Sequence, residues 1–86
     1  MDYPARTPAQ LGQVVKGVRR QQGLTQSATG RRVGMLQSAV SLIEADPSRV
    51  SVAKLFRLLS ALDLELVVRE KSAVARLRER RKRPEW

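Results

Sequence analysis

The stretch GLTQSATGRRVGMLQSAVSLIEA, residues 23–45, decides how this chain folds. Gly23 closes whatever helix precedes it, because a glycine just past a helix end takes the left-handed conformation without a Cβ penalty. Thr25 is placed to cap a short helix over about Gln26 to Val33, which Gly34 ends in the same way. A tight turn, Gly34-Met35-Leu36, leads into a third helix from about Gln37 to Ala45. Val40 and Ile43 fall on its inner side, and Gln37, Ser38 and Ser41 on the opposite side. Two short helices joined by a Gly-containing turn, the second exposing polar residues at its start, describe a helix-turn-helix. A helix fits the major groove, where a Gln amide can both donate to and accept from adenine and a Ser hydroxyl can go to bases or phosphates.

Toward the N-terminus, Thr7-Pro8-Ala9-Gln10 reads as a helix start. Thr7 is the N-cap, Pro8 stands at the first helical position and Gln10 completes a capping box. Leu11, Val14, Val15 and Val18 follow at helical spacing. Toward the C-terminus, Asp46-Pro47-Ser48-Arg49 is a turn, and Ser51 caps a fourth helix whose Val52, Leu55, Phe56, Leu58, Leu59 and Leu62 form a wide apolar stripe. After Asp63 the period changes, and Leu64, Leu66 and Val68 alternate with Glu65, Val67 and Arg69 as in a strand. One strand alone is not stable, so Leu64, Leu66 and Val68 are the candidates for pairing with the same strand of a second subunit. A fifth helix or plain coil is the other reading of this segment. The spacing thus predicts an arm over residues 1–6 and a compact, all-α four-helix domain over 7–64. A dimerisation strand over 64–70 and a flexible basic tail over 71–86 follow.

The 86 residues carry a formal net charge of +9, which points to a polyanionic partner. Residues 69–83 hold eight Arg and Lys against two acids, so the tail carries most of the excess. Three uses fit that tail: a non-specific DNA arm, a segment that orders on binding, or a degradable end. The absence of cysteine and histidine excludes disulfides, thiol nucleophiles and Cys/His zinc sites. No acid pair or lysine site stands out for catalysis, so a binding protein without enzymatic activity or cofactor is expected. No apolar run approaches the ~20 residues that span a bilayer, and MDYPARTPAQ lacks the features of a signal peptide. A cytoplasmic protein that leaves membranes alone is the expectation.

Gly23-Leu24-Thr25-Gln26, Gly34 and Gln37-Ser38-Ala39-Val40-Ser41-Leu42-Ile43-Glu44 together resemble the Cro/repressor-like (XRE) helix-turn-helix family over roughly residues 8–64. The likeness to HipB-type antitoxins, the DNA-binding partners of HipA-type serine/threonine kinase toxins, is closer still. It extends through Ala45-Asp46-Pro47-Ser48, Leu62-Asp63-Leu64-Glu65-Leu66 and the ending Pro84-Glu85-Trp86. The resemblance implies that Gln26 contacts a phosphate, and that Gln37, Ser38, Ala39 and Ser41 form the DNA-contacting face of the recognition helix. It also implies that Arg19 and Glu44 make a structural ion pair, and that the strand after the fourth helix pairs across a dimer. Arg49 is added as a phosphate contact; like Arg31 and Arg32, it could equally serve solubility.

Two departures from the family pattern stand out. A polar or basic residue is common where this chain has Leu36, so one contact that the family likeness leads us to expect is missing. An apolar residue and Ala are usual where it has Thr29 and Gly30, and a helical Gly costs roughly 1 kcal/mol against Ala.

The function implied by the resemblance is an antitoxin and autorepressor that binds a palindromic double-stranded operator as a homodimer and also binds a HipA-like kinase toxin. Trp86 is the candidate anchor for that kinase, because Trp is enriched at interface hot spots. A stand-alone phage-type or restriction-controller repressor is the alternative, and it has no need of the tail. An adaptor or an RNA- or membrane-surface binder using the basic tail alone would leave the helix-turn-helix unexplained.

Overall fold

Four helices and one 3-10 turn make up the architecture: α1 (Pro8–Gln21), α2 (Gln26–Arg31), α3 (Gln37–Ala45), the turn Pro47–Arg49, and α4 (Val52–Ala61). The computed structural model describes residues 1–71; the basic tail beyond, with Trp86, lies outside the described residues. Hydroxyl caps open three of the helices. Thr7 accepts from the Gln10 N–H at 3.1 Å, Thr25 from Ala28 at 3.0 Å and Ser51 from Lys54 at 3.1 Å. Each cap supplies an acceptor to a backbone donor that the helix itself leaves unpaired. Gln10 reaches one residue further back than a capping box requires, and its side-chain oxygen accepts from the Arg6 N–H at 2.6 Å.

Gly23 and Gly34 have φ of 71° and 65°, as their positions past α1 and α2 suggested, and Asp63 takes φ 57° after α4. α2 stops at Arg31, two residues short of the sequence expectation. Arg32 and Val33 bond back to the carbonyls of Thr29 and Gly30 in three-residue turns, and Met35 N–H donates to the Gly30 carbonyl at 2.8 Å. This turn folds tightly over Gly30. A Cβ there would overlap the carbonyl oxygen of Met35. Gly30 is therefore required by the close approach, which corrects the expectation that it only weakens the helix. The Thr29 hydroxyl is fully buried and donates to the Thr25 carbonyl at 2.9 Å, so the polar group is satisfied.

Val15, Val18, Met35, Val40, Ile43, Leu58, Leu59 and Leu62 form the core, with Leu11, Val14, Leu24, Leu55 and Leu64 packed partly against it. α3 runs through the middle, against both α1 and α2. Each fully buried Val, Leu or Ile contributes about 1.5–3 kcal/mol. The α4 stripe is narrower than its sequence suggested. Leu58, Leu59 and Leu62 are buried, but Val52 is 66% and Phe56 47% exposed. These two lie one turn apart on the outer side, since only part of the helix circumference can face the core.

Long-range hydrogen bonds complete the end of α4, which has no basic residue in its last turn. Arg32 donates to the Ala61 carbonyl at 3.0 Å and Gln22 to that of Leu62 at 2.8 Å. In the other direction Arg57 of α4 donates to the carbonyls of Val33 and Gly34. Residues 64–70 form no helix and no strand ladder among the described residues, so the expected strand has no partner there.

Candidate nucleic-acid interface

The interface is built outward from a buried ion pair. Arg19 on α1 meets Glu44 on α3 through two bonds, Nε–Oε2 at 2.6 Å and Nη2–Oε1 at 3.1 Å. Its remaining Nη1 donates to the Leu24 carbonyl at 2.8 Å. Donating to the Glu44 carboxylate raises the Arg19 pKa above its ordinary value, against the opposing effect of burial. The pair ties α1 to α3 and fixes the Glu44 carboxylate.

A carboxylate only accepts, so it dictates how its neighbours turn. Gln26, at the first position of α2, must present its nitrogen, and Nε2 donates to Glu44 Oε1 at 3.2 Å. The Gln26 oxygen then faces Gln37, whose Nε2 donates to it at 2.7 Å. One N–H and the whole oxygen of the Gln37 amide remain for solvent, at the first turn of α3. A donor beside an acceptor is the pair that adenine offers in the major groove.

The other sequence-identified residues fall around this relay. Gln26 is half-buried with its amide engaged at both ends, which makes it a brace for Gln37. Ser38 is exposed, Ser41 half-buried on the outer flank, and Ala39 half-buried with its methyl partly against the core. Arg49 is exposed at the end of the 3-10 turn that follows α3. Arg32 is committed to the Ala61 carbonyl. Of the dimerisation residues, Leu64 is half-buried on the core. Leu66 is 49% exposed and lines an apolar groove of about 340 Å³ with Leu11, Pro47 and Leu55, while Val68 is almost fully exposed.

Sequence reasoning passed over Lys16 and Arg20. They line a shallow cleft of about 460 Å³ with Arg19, Thr25, Gln26, Ser27 and Gln37. The available signal was their i, i+4 spacing on α1, which sets two cations on one side just before the Thr25 cap. Together they make the approach to α2 and α3 positive.

Comparison with known proteins agrees with the helix-turn-helix fold. The family model described as Helix-turn-helix matches residues 15–68. Antitoxin HipB from two Escherichia coli strains is 34% and 32% identical over 62 residues, covering 72% of this chain and 66% and 70% of those proteins. Among solved structures, a HipB variant in complex with an O2 20mer superposes with a TM-score of 0.78 at 26% identity, over 84% of this chain and 100% of that one. The HipA-HipB-O2-O3 complex gives 0.76 at 29% identity, over 80% and 97%. The chain belongs to the helix-turn-helix family, and the HipB antitoxins are its relatives there.

Proposed function

We propose that this chain is a sequence-specific DNA-binding antitoxin and autorepressor. In this reading it acts as a homodimer on a palindromic operator and binds a HipA-like serine/threonine kinase toxin. The amide relay from Glu44 through Gln26 carries the DNA-reading part, because it leaves a fixed donor and acceptor on Gln37 at the leading turn of α3. Ser38 and Ser41 follow on the same helix, one and four residues after Gln37, and Ala39 lies between them in sequence. Lys16 and Arg20 on one side and Arg49 on the other are the phosphate contacts that set register without reading sequence.

The dimer is supported by the apolar surface that α4 and the following segment leave uncovered. Val52, Phe56, Leu66, Val67 and Val68 are all exposed, and covering such side chains with a second subunit would remove their apolar area from water. Pairing through Leu64, Leu66 and Val68 would cover part of it. The toxin partner rests on the likeness to the HipB chain of the HipA-HipB-O2-O3 complex. No helix among the described residues is long and apolar enough to cross a membrane. Work of this kind is done by binding alone, beside the nucleoid in the cytoplasm.

Selection from a random-sequence duplex pool, followed by salt titration against the selected and a random duplex, tests the DNA reading. A two-fold symmetric sequence is expected, bound far more tightly than random DNA. Binding that is equal on both duplexes and purely salt-controlled would refute it. Calorimetry against a purified HipA-type kinase tests the second part. Tight operator binding with no kinase binding would leave a stand-alone repressor.

A further inference from the structure

Leu36 stands at the N-cap of α3, with φ −69° and ψ 151°, and its side chain offers the helix no hydrogen bond. The other three helices all open on a threonine or serine. An aliphatic residue at an N-cap costs stability against Ser or Thr, and this one is also 77% exposed, so its burial does not offset that cost. Both penalties fall on the residue that leads α3. The large apolar residues exposed elsewhere lie mainly in the N-terminal arm or on α4 and the segment after it. The exception is Leu42, a turn and a half further along α3 and half as exposed.

The neighbours of Leu36 in the leading turn, Gln37 and Ser38, are exposed and polar. When the N-terminus of a recognition helix enters the major groove, the base edges present donors, acceptors and one apolar feature, the C5-methyl of thymine. We infer that Leu36 is a specificity-determining residue that recognises one thymine per half-site by contact with that methyl. The inference rests on the DNA-binding reading above and adds a base identity to it.

Replacing thymine by deoxyuridine removes that methyl and leaves the pairing edge intact. The probe is the duplex that the full-length protein selects from a random pool, with each thymine replaced in turn, symmetrically in both half-sites. Covering a methyl contributes about 0.8 kcal/mol, or roughly fourfold in affinity, so one position should weaken wild-type binding about fourfold per half-site. Leu36→Ala should bind more weakly and show no loss at that position. Leu36→Ser, which restores a capping hydroxyl, should melt at a higher temperature than wild type and be equally indifferent to the methyl.

A wild-type protein blind to every replacement, or a Leu36→Ala variant as sensitive as wild type, would overturn the inference and leave sequence-specific binding intact. A lowered melting temperature for Leu36→Ser would also overturn it, by giving Leu36 a structural reason to be apolar. Failure of the protein to select any sequence would remove the inference together with the DNA-binding reading beneath it.

Discussion

Without the Glu44 carboxylate, the Arg19 guanidinium would stay buried with only the Leu24 carbonyl to accept from it. Breaking one side of a buried pair costs about 3–5 kcal/mol, so Glu44→Ala should lower the unfolding free energy obtained from urea denaturation by an amount of that size. It should also release Gln26 and, through it, Gln37. Specific DNA binding would then fall by more than the lost stability explains, as seen by titration under conditions where the variant is fully folded. Acidity acts on this pair through one sign only where Arg19 is concerned. Its pKa is raised in the folded state, so its contribution is fully present below the ordinary guanidinium value and is lost only at higher pH. Gln37→Ala removes the outward amide itself and should cost roughly 1–3 kcal/mol on the selected duplex while relaxing one position in a repeated selection. An unchanged selection would mean that another residue leads the helix into the groove.

At the scale of the elements, the turn between α2 and α3 is governed by a backbone contact rather than by propensity. Gly30→Ala would improve helix propensity but drive a Cβ into the Met35 carbonyl. Overpacking of this kind costs about 1–3 kcal/mol, so thermal melting should show a loss where propensity alone predicts a gain. Ser51→Ala, which removes the cap of α4, should cost roughly 1 kcal/mol by the same measurement. Local signals of this sort were legible in the sequence. Caps, glycines and apolar spacing gave α1, α3 and α4 their starts and the helix-turn-helix its place, and Arg19 with Glu44 came from the family resemblance. Contacts made across the fold left no local mark. Arg32 on Ala61, Arg57 on Val33 and Gly34, and the outward turn of Val52 and Phe56 depend on which side of α4 meets the core. The relay through Gln26 was hidden for the same reason: it needs three helices in place before its hydrogen bonds have any meaning.

For the whole molecule, the proposed dimer and its DNA are tested together. Leu66→Pro removes a backbone donor from the segment expected to pair across the two-fold axis. Sedimentation should show the dimer fraction fall, with operator affinity falling in step; a variant that stays dimeric would disprove the pairing. Arg49→Ala should weaken binding equally on all sequences and reduce the slope of log affinity against log salt by about 1 per subunit. Arg57 carries a consequence for operator geometry. It fastens α4 to the two carbonyls just ahead of α3, while the same helix turns Val52 and Phe56 outward. In a dimer closed on that face the two recognition helices become the jaws of a caliper locked at one opening. Inserting one base pair between half-sites separates them by ~3.4 Å and rotates one against the other by about a tenth of a turn. Locked jaws cannot follow such a change, so the lengthened duplex should bind like random DNA, whereas a dimer hinged at this point would tolerate it.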